Sequence, residues 1–533
     1  MSQLTFFKED KKLMNLKEAS TWASQYLNRK ITVSNISYLI QYGRIKKYGK
    51  DGNPLVSIEE LKEYYDSLSK KRRGRSISGE DINWELSFSQ YKEAERTKHV
   101  HRLHPYKGKF IPQLVEYFLD SHKDKFKKEV YFCRGDIVLD PFCGSGTTLV
   151  QANELGIHAI GIDISFFNTL ISNVKVEKHD LVLIEGTIRK LNSRLKEFQK
   201  DKNNIAFEEN LLAELTKFNN KYFPSPEYKR KISAGTINEY EYAKEKEREF
   251  LPIYNELIKK YQIKIRQDKS ETFLDKWFLD PVRKEIDFMA EEIKKIDNED
   301  VKKVLIIILS RTARSCRATT HADLATLKEP VYATYYCKKH GKICKPIFSI
   351  TKWWEFYTED TINRLKEFDK LRTDTFQICL TGDSRKIDIY EEIKKITPDF
   401  AEKLLKQKIR GIFSSPPYVG LIDYHEQHAY AYEIFGFERR DELEIGPLSK
   451  GQGEEQRKLY IEGIAEVLIN CKKYLQSNYD IFLVANDKFN LYPKIAELAG
   501  MKIVDEFKRP VLCRAEKDRE NLYSESIFHL KER

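Results

Sequence analysis

The feature that most constrains this chain is a glycine turn between two short apolar runs. The run "DIVLD" indicates a buried strand, "PFCGSGTTLVQANELG" a glycine loop that enters a helix, and "HAIGIDI" a second strand. Gly144 and Gly146 stand at the strand-to-helix turn, where a missing Cβ lets the backbone approach a ligand and the helix N-terminus offers free N–H groups. The pattern therefore predicts an α/β unit that binds a ligand at this turn.

The same alternation returns towards the C-terminus. There "FQICLTGD" and "IRGIFSSPPY" indicate strands, "LYIEGIAEVLINCKKYL" a helix, and "DIFLVAND" a further strand. Residues 186–375, between the two blocks, are helical in pattern and highly charged, without that alternation. Strands that alternate with helices predict a mostly parallel sheet, and the charged middle predicts an insertion into it.

Bulk composition narrows the class of protein and its partners. The chain has 533 residues and a formal net charge of +11, which favours a polyanionic partner such as nucleic acid. No apolar run approaches the roughly 20 residues that a membrane helix needs, and the N-terminus has no signal-peptide pattern. Eight cysteines in so long a chain do not indicate a disulfide framework, so we expect a cytoplasmic protein with reduced thiols and no membrane partner.

The first 66 residues show the pattern of a small unit of their own. Two helical segments are followed by the turn signal Asp51-Gly52 and by a third helix behind Ser57. This arrangement resembles the winged helix-turn-helix units of excisionase and MerR-type proteins, whose second helix enters the major groove of DNA. The resemblance implies phosphate contacts from three basic residues: Arg44, Lys46 and Lys47. An interaction domain with a solvated basic turn is the alternative.

The acid that ends the second strand identifies the kind of ligand expected at the glycine turn. Asp163 follows Gly144 by about twenty residues, the spacing at which an acid accepts hydrogen bonds from ribose hydroxyls in nucleotide-binding α/β folds. The loop is neither G-x-G-x-x-G nor G-x-x-x-x-G-K-[ST]. Instead, "DPFCGSGTT" resembles motif I of the amino-methylating DNA methyltransferases, whose cofactor is S-adenosylmethionine.

This resemblance implies a set of cofactor-binding residues. Around motif I they are Asp140, Pro141, Phe142, Gly144, Gly146, Thr147, Thr148, Asp163 and Ile164. The segment "HPYKGKFIPQLVEYFL" resembles the part of the family that precedes motif I and binds the methionine end, which adds Lys109 and Phe110. The turn "LTGDSR" resembles the acidic turn that meets adenine, so Asp383 is a candidate, with a plain turn aspartate as the alternative.

The corner "SSPPY" after a predicted strand resembles the catalytic motif of the same family. Its implied catalytic residues are Ser415, Pro416, Pro417 and Tyr418. An exocyclic base amine is a poor nucleophile because its lone pair is delocalised into the ring. One N–H would be accepted by the first residue and the other by the Pro416 carbonyl, whose position proline restrains, while Tyr418 stacks on a flipped base. The alternative is a loop that closes a strand, with Tyr418 in the core.

The first residue of the corner bears on the target base. Serine there is associated in this family with N4-cytosine methylation, whereas aspartate or asparagine is the commonest adenine form, so the prediction is a cytosine-N4 methyltransferase with N6-adenine as the alternative. C5-cytosine methylation is disfavoured because no cysteine follows a proline. An RNA or protein-glutamine methyltransferase and a non-enzymatic DNA-binding regulator are further alternatives. No nuclease pattern is found, so double-stranded DNA is the expected partner and a cognate restriction endonuclease would be a separate chain.

The predicted fold class is α/β: a Rossmann-like, S-adenosylmethionine-dependent methyltransferase sheet with a large helical insertion and an N-terminal winged helix-turn-helix domain. The predicted boundaries are 1–66 for the winged helix-turn-helix domain, 67–83 for a basic linker, 84–185 for the cofactor-binding part, 186–375 for the insertion and 376–533 for the catalytic part.

The insertion is predicted to recognise the target, with residues 425–458 as a second candidate. Three arginines at helical spacing form a possible phosphate or base contact row, or else a solvated helix face: Arg311, Arg314 and Arg317. Zinc-ligand residue types also occur there: Cys337, His340 and Cys344, with Cys316 and His321 upstream. Because they do not form two C-x2-C pairs, the sequence favours buried cysteines in a compact β-turn unit, and no metal is assigned.

Overall fold

The structure is a computed structural model that describes residues 13–27, 31–41, 44–49, 54–73, 85–88, 90–200, 203–324, 326–511 and 524–533. The chain divides into two compact units. Unit 1 consists of Met1–Ser78, Lys202–Ile265 and Ala318–Phe348, and unit 2 of Gly79–Asp201, Arg266–Arg317 and Ser349–Arg533. Among the described residues, no helix combines the length and the apolar character needed to cross a bilayer.

The helices in chain order are α1 Leu16–Tyr26, α2 Val33–Gln41, α3 Ile58–Arg73, α4 Glu93–Arg96, α5 Pro112–Leu119, α6 Thr147–Glu154, α7 Phe166–Val176, α8 Leu181–Gln199, α9 Asn204–Tyr222, α10 Glu227–Ser233, α11 Glu239–Tyr261, α12 Phe273–Trp277, α13 Asp280–Lys294, α14 Glu299–Ser315, α15 Thr351–Asp369, α16 Ile389–Ile396, α17 Pro398–Gln407, α18 Ala429–Phe435, α19 Glu454–Lys472 and α20 Tyr492–Leu498. The strands are β1 Leu13–Asn15, β2 Leu55–Ser57, β3 Ile137–Asp140, β4 His158–Asp163, β5 Tyr335–Cys337, β6 Lys342–Cys344, β7 Gln377–Thr381, β8 Ile409–Ser414, β9 Leu475–Ala485, β10 Met501–Pro510 and β11 Ser524–Glu532.

Unit 2 is built on a seven-stranded sheet of order β10-β11-β9-β8-β3-β4-β7. The strands from β9 to β7 are parallel, whereas β11 pairs antiparallel with both β9 and β10. Every residue of β3 is buried, as expected for a central parallel strand that is covered on both faces. The α/β sheet predicted from the alternation of strands and helices is thus confirmed.

The order of the strands fixes where a ligand can bind. From β3 the chain moves outward to β4 and then β7 on one side, and it returns to place β8 and β9 on the other. In open α/β sheets of this kind, ligands bind beyond the carboxyl ends of the strands, at the point where the strand order reverses. That point lies here between β3 and β8, directly beyond Asp140 and Ser414.

The predicted insertion leaves this sheet after α7 and returns before β7. Arg372, just beyond α15, donates hydrogen bonds to the backbone carbonyls of Val176 and Glu177 at the end of α7, the second at 2.9 Å. Lys303 of α14 pairs with the carboxylate of Glu177 at 3.2 Å. The chain therefore leaves the sheet and rejoins it at neighbouring points.

The insertion is helical, as predicted, but it does not belong to one unit. Its helices α9 to α11 and the hairpin β5–β6 lie in unit 1, whereas α12 to α15 lie in unit 2. Helix α8 begins at Leu181, inside the predicted cofactor-binding part, because Asp180 caps its N-terminus by accepting from the N–H of Leu183 at 3.0 Å.

The first part of unit 1 is a helical segment with its own small core. Asn15 and Glu18 form a capping box that starts α1, and β1 pairs antiparallel with β2. The core of this segment is apolar: Ala19, Ala23, Ile36, Leu39, Ile40, Ile45, Val56, Leu61 and Tyr65. The predicted turn at Asp51-Gly52 lies outside the described residues.

The predicted linker at 67–83 begins later than expected. Helix α3 continues to Arg73, because the lysines, the arginines and the leucine of "SLSKKRR" have high helix propensities. Residues 74–84 lie outside the described part of the chain.

Candidate active site

A cleft of about 830 Å³, counting the part open to solvent, lies at the carboxyl ends of β3, β4, β7 and β8. It brings together most of the residues predicted to bind the cofactor or the base. Those that line it are Lys109, Phe110, Pro141, Phe142, Gly144, Thr147, Asp163, Ile164, Asp383, Ser415 and Pro417. The predicted residues Asp140, Gly146, Thr148, Pro416 and Tyr418 lie behind this lining or beside it.

Two glycines shape the loop that borders the cleft. Gly144 has a φ of +53°, and a Cβ on it would lie 2.9 Å from the Tyr106 hydroxyl. Gly146 has a φ of +72°, and a Cβ there would lie 2.9 Å from the Ser172 hydroxyl. Both positions therefore exclude larger residues, which allows backbone N–H groups to approach a ligand.

Asp163 at the end of β4 is held rigidly at the rim of the cleft. Its carboxylate accepts from the backbone N–H of Gly144 at 2.8 Å, from that of Ser165 at 2.9 Å and from the Asn168 amide at 3.1 Å. Burial raises the pKa of Asp163 to about 6, although these hydrogen bonds favour the ionised form. The carboxylate is thus oriented by its neighbours and still lines the cleft.

Asp140, a residue that the motif I resemblance implies in cofactor binding, is not among the residues that line the cleft. Its buried carboxylate accepts from the hydroxyl of Ser414 at 2.6 Å and from that of Thr148 at 2.7 Å. Burial raises the pKa of Asp140 to about 6, and the two hydroxyls oppose that shift. Asp140 therefore joins the ends of β3 and β8 from beneath the glycine loop.

The corner after β8 is fixed on both sides. Ser414 bonds to Asp140 on β3, and the Ser415 hydroxyl donates to the carbonyl of Val484 on β9 at 3.0 Å. Pro416 is buried, and Ser415 and Pro417 face the cleft. The strand therefore delivers Ser415 to the cleft wall with little freedom of its backbone.

Tyr418 does not face the cleft in this structure. Its ring packs against the core cluster of the sheet, and its hydroxyl donates to Glu525 at 3.0 Å. Half-buried, it corresponds to the packing alternative that the sequence left open.

Asp383 lies in the turn after β7 and lines the cleft. Burial opposes its ionisation, but hydrogen bonds from Arg385 outweigh burial, so the pKa of Asp383 lies below its ordinary value. The Arg385 guanidinium donates from Nε and from one terminal nitrogen, at 2.8 Å each. The Asp383 carboxylate is therefore ionised, and Arg385 provides part of its hydrogen bonding.

Several lining residues were not predicted, among them Tyr106, Ser145, Asn168, Tyr424 and Glu444. Tyr106 lies inside the segment that was singled out, next to Lys109. Glu444 accepts from the backbone N–H groups of Tyr424 at 3.2 Å and of His425 at 2.9 Å. Tyr424 lies at the edge of the 425–458 region and Glu444 lies within it. Their positions along the chain give no sign that they line the cleft.

A buried lysine also supports the loop and was missed. Lys175 of α7 is fully buried, and its ammonium donates to the backbone carbonyl of Ser145. Burial lowers the pKa of Lys175 well below its ordinary value. In the sequence it reads as one more basic residue of an amphipathic helix, because nothing local marks it as the partner of the glycine loop.

The predicted arginine row is not a surface row. Arg311 is 5% exposed, pairs with Asp360 and donates to the Thr361 hydroxyl at 2.7 Å. Arg317 is 7% exposed and lies beyond the end of α14, with its guanidinium 5.9 Å from the centroid of the Tyr430 ring. These contacts correct the prediction for Arg311, whose charge is already neutralised inside unit 2; Arg314 is half-buried.

The basic residues predicted to contact DNA in the N-terminal segment are accessible. Arg44 and Lys46 are exposed, and Lys47 is half-buried. They follow α2, and the backbone N–H of Lys46 donates to Glu60 of α3 at 2.8 Å. The segment is thus tied to α3 through its backbone while the side chains of Arg44 and Lys46 remain in solvent.

Comparison with known proteins identifies the class to which this fold and cleft belong. A family described as DNA methylase matches residues 3–172. The chain belongs to the type II DNA methyltransferases of restriction–modification systems, the N6/N4 DNA methylases, which use S-adenosylmethionine as methyl donor.

The similarity to one relative extends over nearly the whole chain. The type II methyltransferase M.MjaII of Methanocaldococcus jannaschii is 49% identical over 530 residues, which cover 98% of this chain and 97% of the relative. M.BsoBI of Geobacillus stearothermophilus is 39% identical over 72 residues, 14% of this chain and 13% of its own. Among solved structures, the rRNA methyltransferase aviRa from Streptomyces viridochromogenes covers 80% of this chain and 88% of its own at 9% identity, with a TM-score of only 0.27.

The cleft fits the cofactor of this family. Gly144 and Tyr106 both line the cleft, and a Cβ at Gly144 would lie 2.9 Å from the Tyr106 hydroxyl, so glycine is required where the loop backbone borders the cleft. Asp163 places a carboxylate at the cleft, the group that accepts ribose hydroxyls in nucleotide-binding α/β folds, and Asp383 places a second acid on the neighbouring turn. The residues present therefore suit an adenosine-containing ligand with a polar tail.

Proposed function

We propose that this protein methylates the exocyclic N4 amine of cytosine within a specific sequence of double-stranded DNA. The observation that supports this base most directly is Ser415, a hydroxyl residue that faces the cleft at the first position of the catalytic corner. In the family that the corner resembles, serine at this position goes with cytosine as the target.

In the proposed mechanism, Ser415 and the carbonyl of Pro416 accept the two N–H groups of the target amine. Two acceptors draw the amine out of conjugation and direct its lone pair towards the methyl donor. When bound, S-adenosylmethionine would supply an electrophilic methyl group at its sulfonium centre: the S–CH3 bond breaks as the N–CH3 bond forms, S-adenosylhomocysteine leaves, and the methylated amine loses one proton to water. Because the bonds of Ser414 and Ser415 hold the corner to β3 and β9, orientation supplies much of the rate enhancement.

Acceptance of the amine requires the Ser415 hydroxyl to change its present role. That hydroxyl now donates to the Val484 carbonyl at 3.0 Å, and a hydroxyl oxygen can accept while its proton is donated elsewhere. The contact with β9 therefore orients the oxygen lone pairs of Ser415, and no proton needs to leave it.

The flipped base would stack on Tyr418. In the structure, the Tyr418 hydroxyl contacts Glu525, so stacking requires the ring to become accessible when DNA binds. This part of the mechanism is carried by the family resemblance.

Nucleoside mass spectrometry tests the choice of base. The protein is incubated with DNA of mixed sequence and isotope-labelled S-adenosylmethionine, and the DNA is digested to nucleosides. We expect label in N4-methylcytosine. Label in N6-methyladenine would overturn the assignment to cytosine while leaving the methyltransferase class intact, and a Ser415→Ala variant shows whether the signal depends on the corner.

We also propose that the N-terminal segment binds DNA as a winged helix-turn-helix and that target recognition lies mainly in the insertion. The accessible side chains of Arg44 and Lys46 support the first proposal. The insertion is the main candidate for reading the target, and the segment 425–458, which contains α18 and the start of α19, is the second. A restriction endonuclease with the same target would act as a separate chain.

A further inference from the structure

Four side chains with metal-binding atoms converge in unit 1, and none of them is among the residues that line the cleft. They are His321, Cys337, His340 and Cys344, and one ligand atom from each lies within 4.8 Å of all the others. The Nδ1 atom of His340 is 3.4 Å from the Sγ atom of Cys344. The imidazole centroids of His321 and His340 are 4.4 Å apart.

These separations are close to those of a tetrahedral metal site. With Zn–S near 2.3 Å and Zn–N near 2.0 Å, ligand atoms of such a site lie about 3.3 to 3.8 Å from one another. The His340–Cys344 distance already falls within that range, and small side-chain rotations would bring in the other pairs. Two cysteines and two histidines also form one of the common ligand sets of structural zinc.

The hairpin β5–β6 places three of the four ligands. Cys337 ends β5 and Cys344 ends β6, and the turn between them carries His340. The backbone N–H groups of His340 and Gly341 both donate to the Cys337 carbonyl, at 3.0 and 2.7 Å, which folds the turn back over Cys337. Gly341 has a φ of +63°, a conformation that glycine adopts readily.

The fourth ligand comes from the loop that precedes the hairpin and is oriented by a neighbour. The Nδ1 atom of His321 lies 2.7 Å from the Tyr335 hydroxyl, and the backbone N–H of His321 donates to the same oxygen at 3.2 Å. With Nδ1 engaged, Nε2 is the atom available to a metal. Metal-bound histidines usually have such a partner on the other ring nitrogen, since it fixes the tautomer and the ring orientation.

The surrounding structure holds this hairpin in place. Asn219 of α9 exchanges two hydrogen bonds of 3.0 Å with the backbone of Ile343. Each strand has only three residues, too few for a hairpin to be stable by itself. A cross-link through side chains would therefore add the stability that so short a hairpin lacks.

We propose that His321, Cys337, His340 and Cys344 bind one structural Zn²⁺ ion that fixes the β5–β6 hairpin to the preceding loop. All four positions would be filled by protein ligands, so the ion would be closed to substrate and would not take part in methyl transfer. The sequence pattern did not reveal it because the ligands follow the order His, Cys, His, Cys without paired C-x2-C spacings. The upstream Cys316 does not belong to the group.

The first test measures metal content in the full-length protein, purified without chelators and without an immobilised-metal column. Mass spectrometry of the metal should give about one zinc per chain. We expect that zinc to be lost in Cys337→Ser and in Cys344→Ser. The matched control is Cys133→Ser, which removes an exposed cysteine of unit 2 and should retain the ion. Zinc that is absent from the wild type, or retained in both ligand variants, would overturn the proposal.

A second measurement needs no variant and covers the case in which the ligand variants fail to fold. X-ray absorption of the zinc-loaded wild type should show two sulfur ligands near 2.3 Å and two nitrogen ligands near 2.0 Å. Replacement by cobalt should give thiolate charge-transfer bands and the visible spectrum of a tetrahedral site. A shell of only nitrogen and oxygen would identify an adventitious ion and rule out this site. Both readouts are independent of methyltransferase activity.

Discussion

At the scale of single residues, the cleft is controlled by acids whose environments differ. Asp140 is buried and Asp163 is half-buried, and the pKa of each is raised to about 6. Asp163 lines the cleft, whereas the Asp140 carboxylate accepts hydrogen bonds from the buried hydroxyls of Thr148 and Ser414. Asp383, paired with Arg385, has a pKa below its ordinary value and stays ionised. Of these three carboxylic acids, Asp163 alone both has a raised pKa and lines the cleft.

The first prediction concerns the pH dependence of cofactor binding. An ionised Asp163 accepts ribose hydroxyls, so S-adenosylmethionine should bind the deprotonated form. With a pKa of about 6 in the free protein, the carboxylate is protonated as the pH falls from 7.5 to 5, and the Kd should rise about tenfold. With the ordinary pKa of 3.8, almost no change would occur over this range. Isothermal titration calorimetry across this range measures the effect.

Asp163→Asn is the control for this titration. It should bind the cofactor more weakly at pH 7.5 and lose most of the dependence on pH, because the amide does not titrate. A dependence that survives in Asp163→Asn would assign the titration to another group, and Asp140 would be the first to examine.

At the scale of elements, the ends of two strands and the start of one helix are joined under the glycine loop. The Asp140 carboxylate connects Ser414 of β8 to Thr148 of α6. The Thr148 hydroxyl is also 3.4 Å from the carbonyl of Phe413. One buried group of polar atoms thus joins the glycine loop to the strand end that precedes the "SSPPY" corner.

The second prediction is that Thr148→Val destabilises unit 2. The substitution keeps the shape of the side chain but removes a donor from a buried carboxylate, which costs about 1–3 kcal/mol. The loss should be larger at pH 7.5 than at pH 5, because Asp140, with a pKa of about 6, is mostly neutral at the lower pH and needs the donor less. Urea unfolding of wild type and variant at the two pH values measures it.

Thr169→Val provides a matched control on the next helix. Its buried hydroxyl donates to the backbone carbonyl of Ser165 at 3.2 Å, a neutral acceptor inside α7. We expect a smaller loss that is the same at both pH values. Equal losses in the two variants would mean that the Asp140 group adds no special stability.

At the scale of the whole molecule, the excess of basic residues raises the question of which of them contact the phosphates of DNA. The net charge of +11 does not say which lysines and arginines contact phosphate. In unit 2, Arg311 and Lys175 are buried and already engaged with protein groups. In unit 1, Arg44 and Lys46 are exposed beside α2.

The third prediction is that Arg44→Ala combined with Lys46→Ala weakens DNA binding at all sequences and lowers its salt dependence. Each lost phosphate contact should reduce the slope of log K against log salt by about 0.9, so the pair should reduce it by about 2. Fluorescence anisotropy with a DNA duplex at several salt concentrations measures the slope.

The control removes the same charge elsewhere in the segment. Lys17 of α1 and Lys62 of α3 are exposed, and their double substitution by alanine should leave the slope nearly unchanged. If both double variants change the slope equally, general charge and not a winged helix-turn-helix contact explains the binding.

Much of this molecule could be predicted from its sequence, and the reasons are local. The strand–glycine–helix pattern placed Gly144 and Asp163 together because motif, turn and spacing are continuous in the chain. The helices of the insertion were also correctly expected. However, the periodicity of a helix does not reveal which of its faces is buried by tertiary packing. Arg311 was therefore expected at the surface, but it lies in an interior ion pair with Asp360. Glu444 and Lys175 reach the cleft or its loop only through tertiary packing.

The short separation between the points where the insertion leaves and rejoins the sheet bears on how such enzymes diversify. Arg372 bonds to the last carbonyls of α7, so the chain closes its excursion next to where it started, immediately before β7 pairs with β4. Helices can then be gained, lost or exchanged within the excursion while the two strands keep their register. If the insertion reads the target, as proposed above, a lineage could acquire a new target sequence by exchanging this segment and keep its methyl-donor site unchanged.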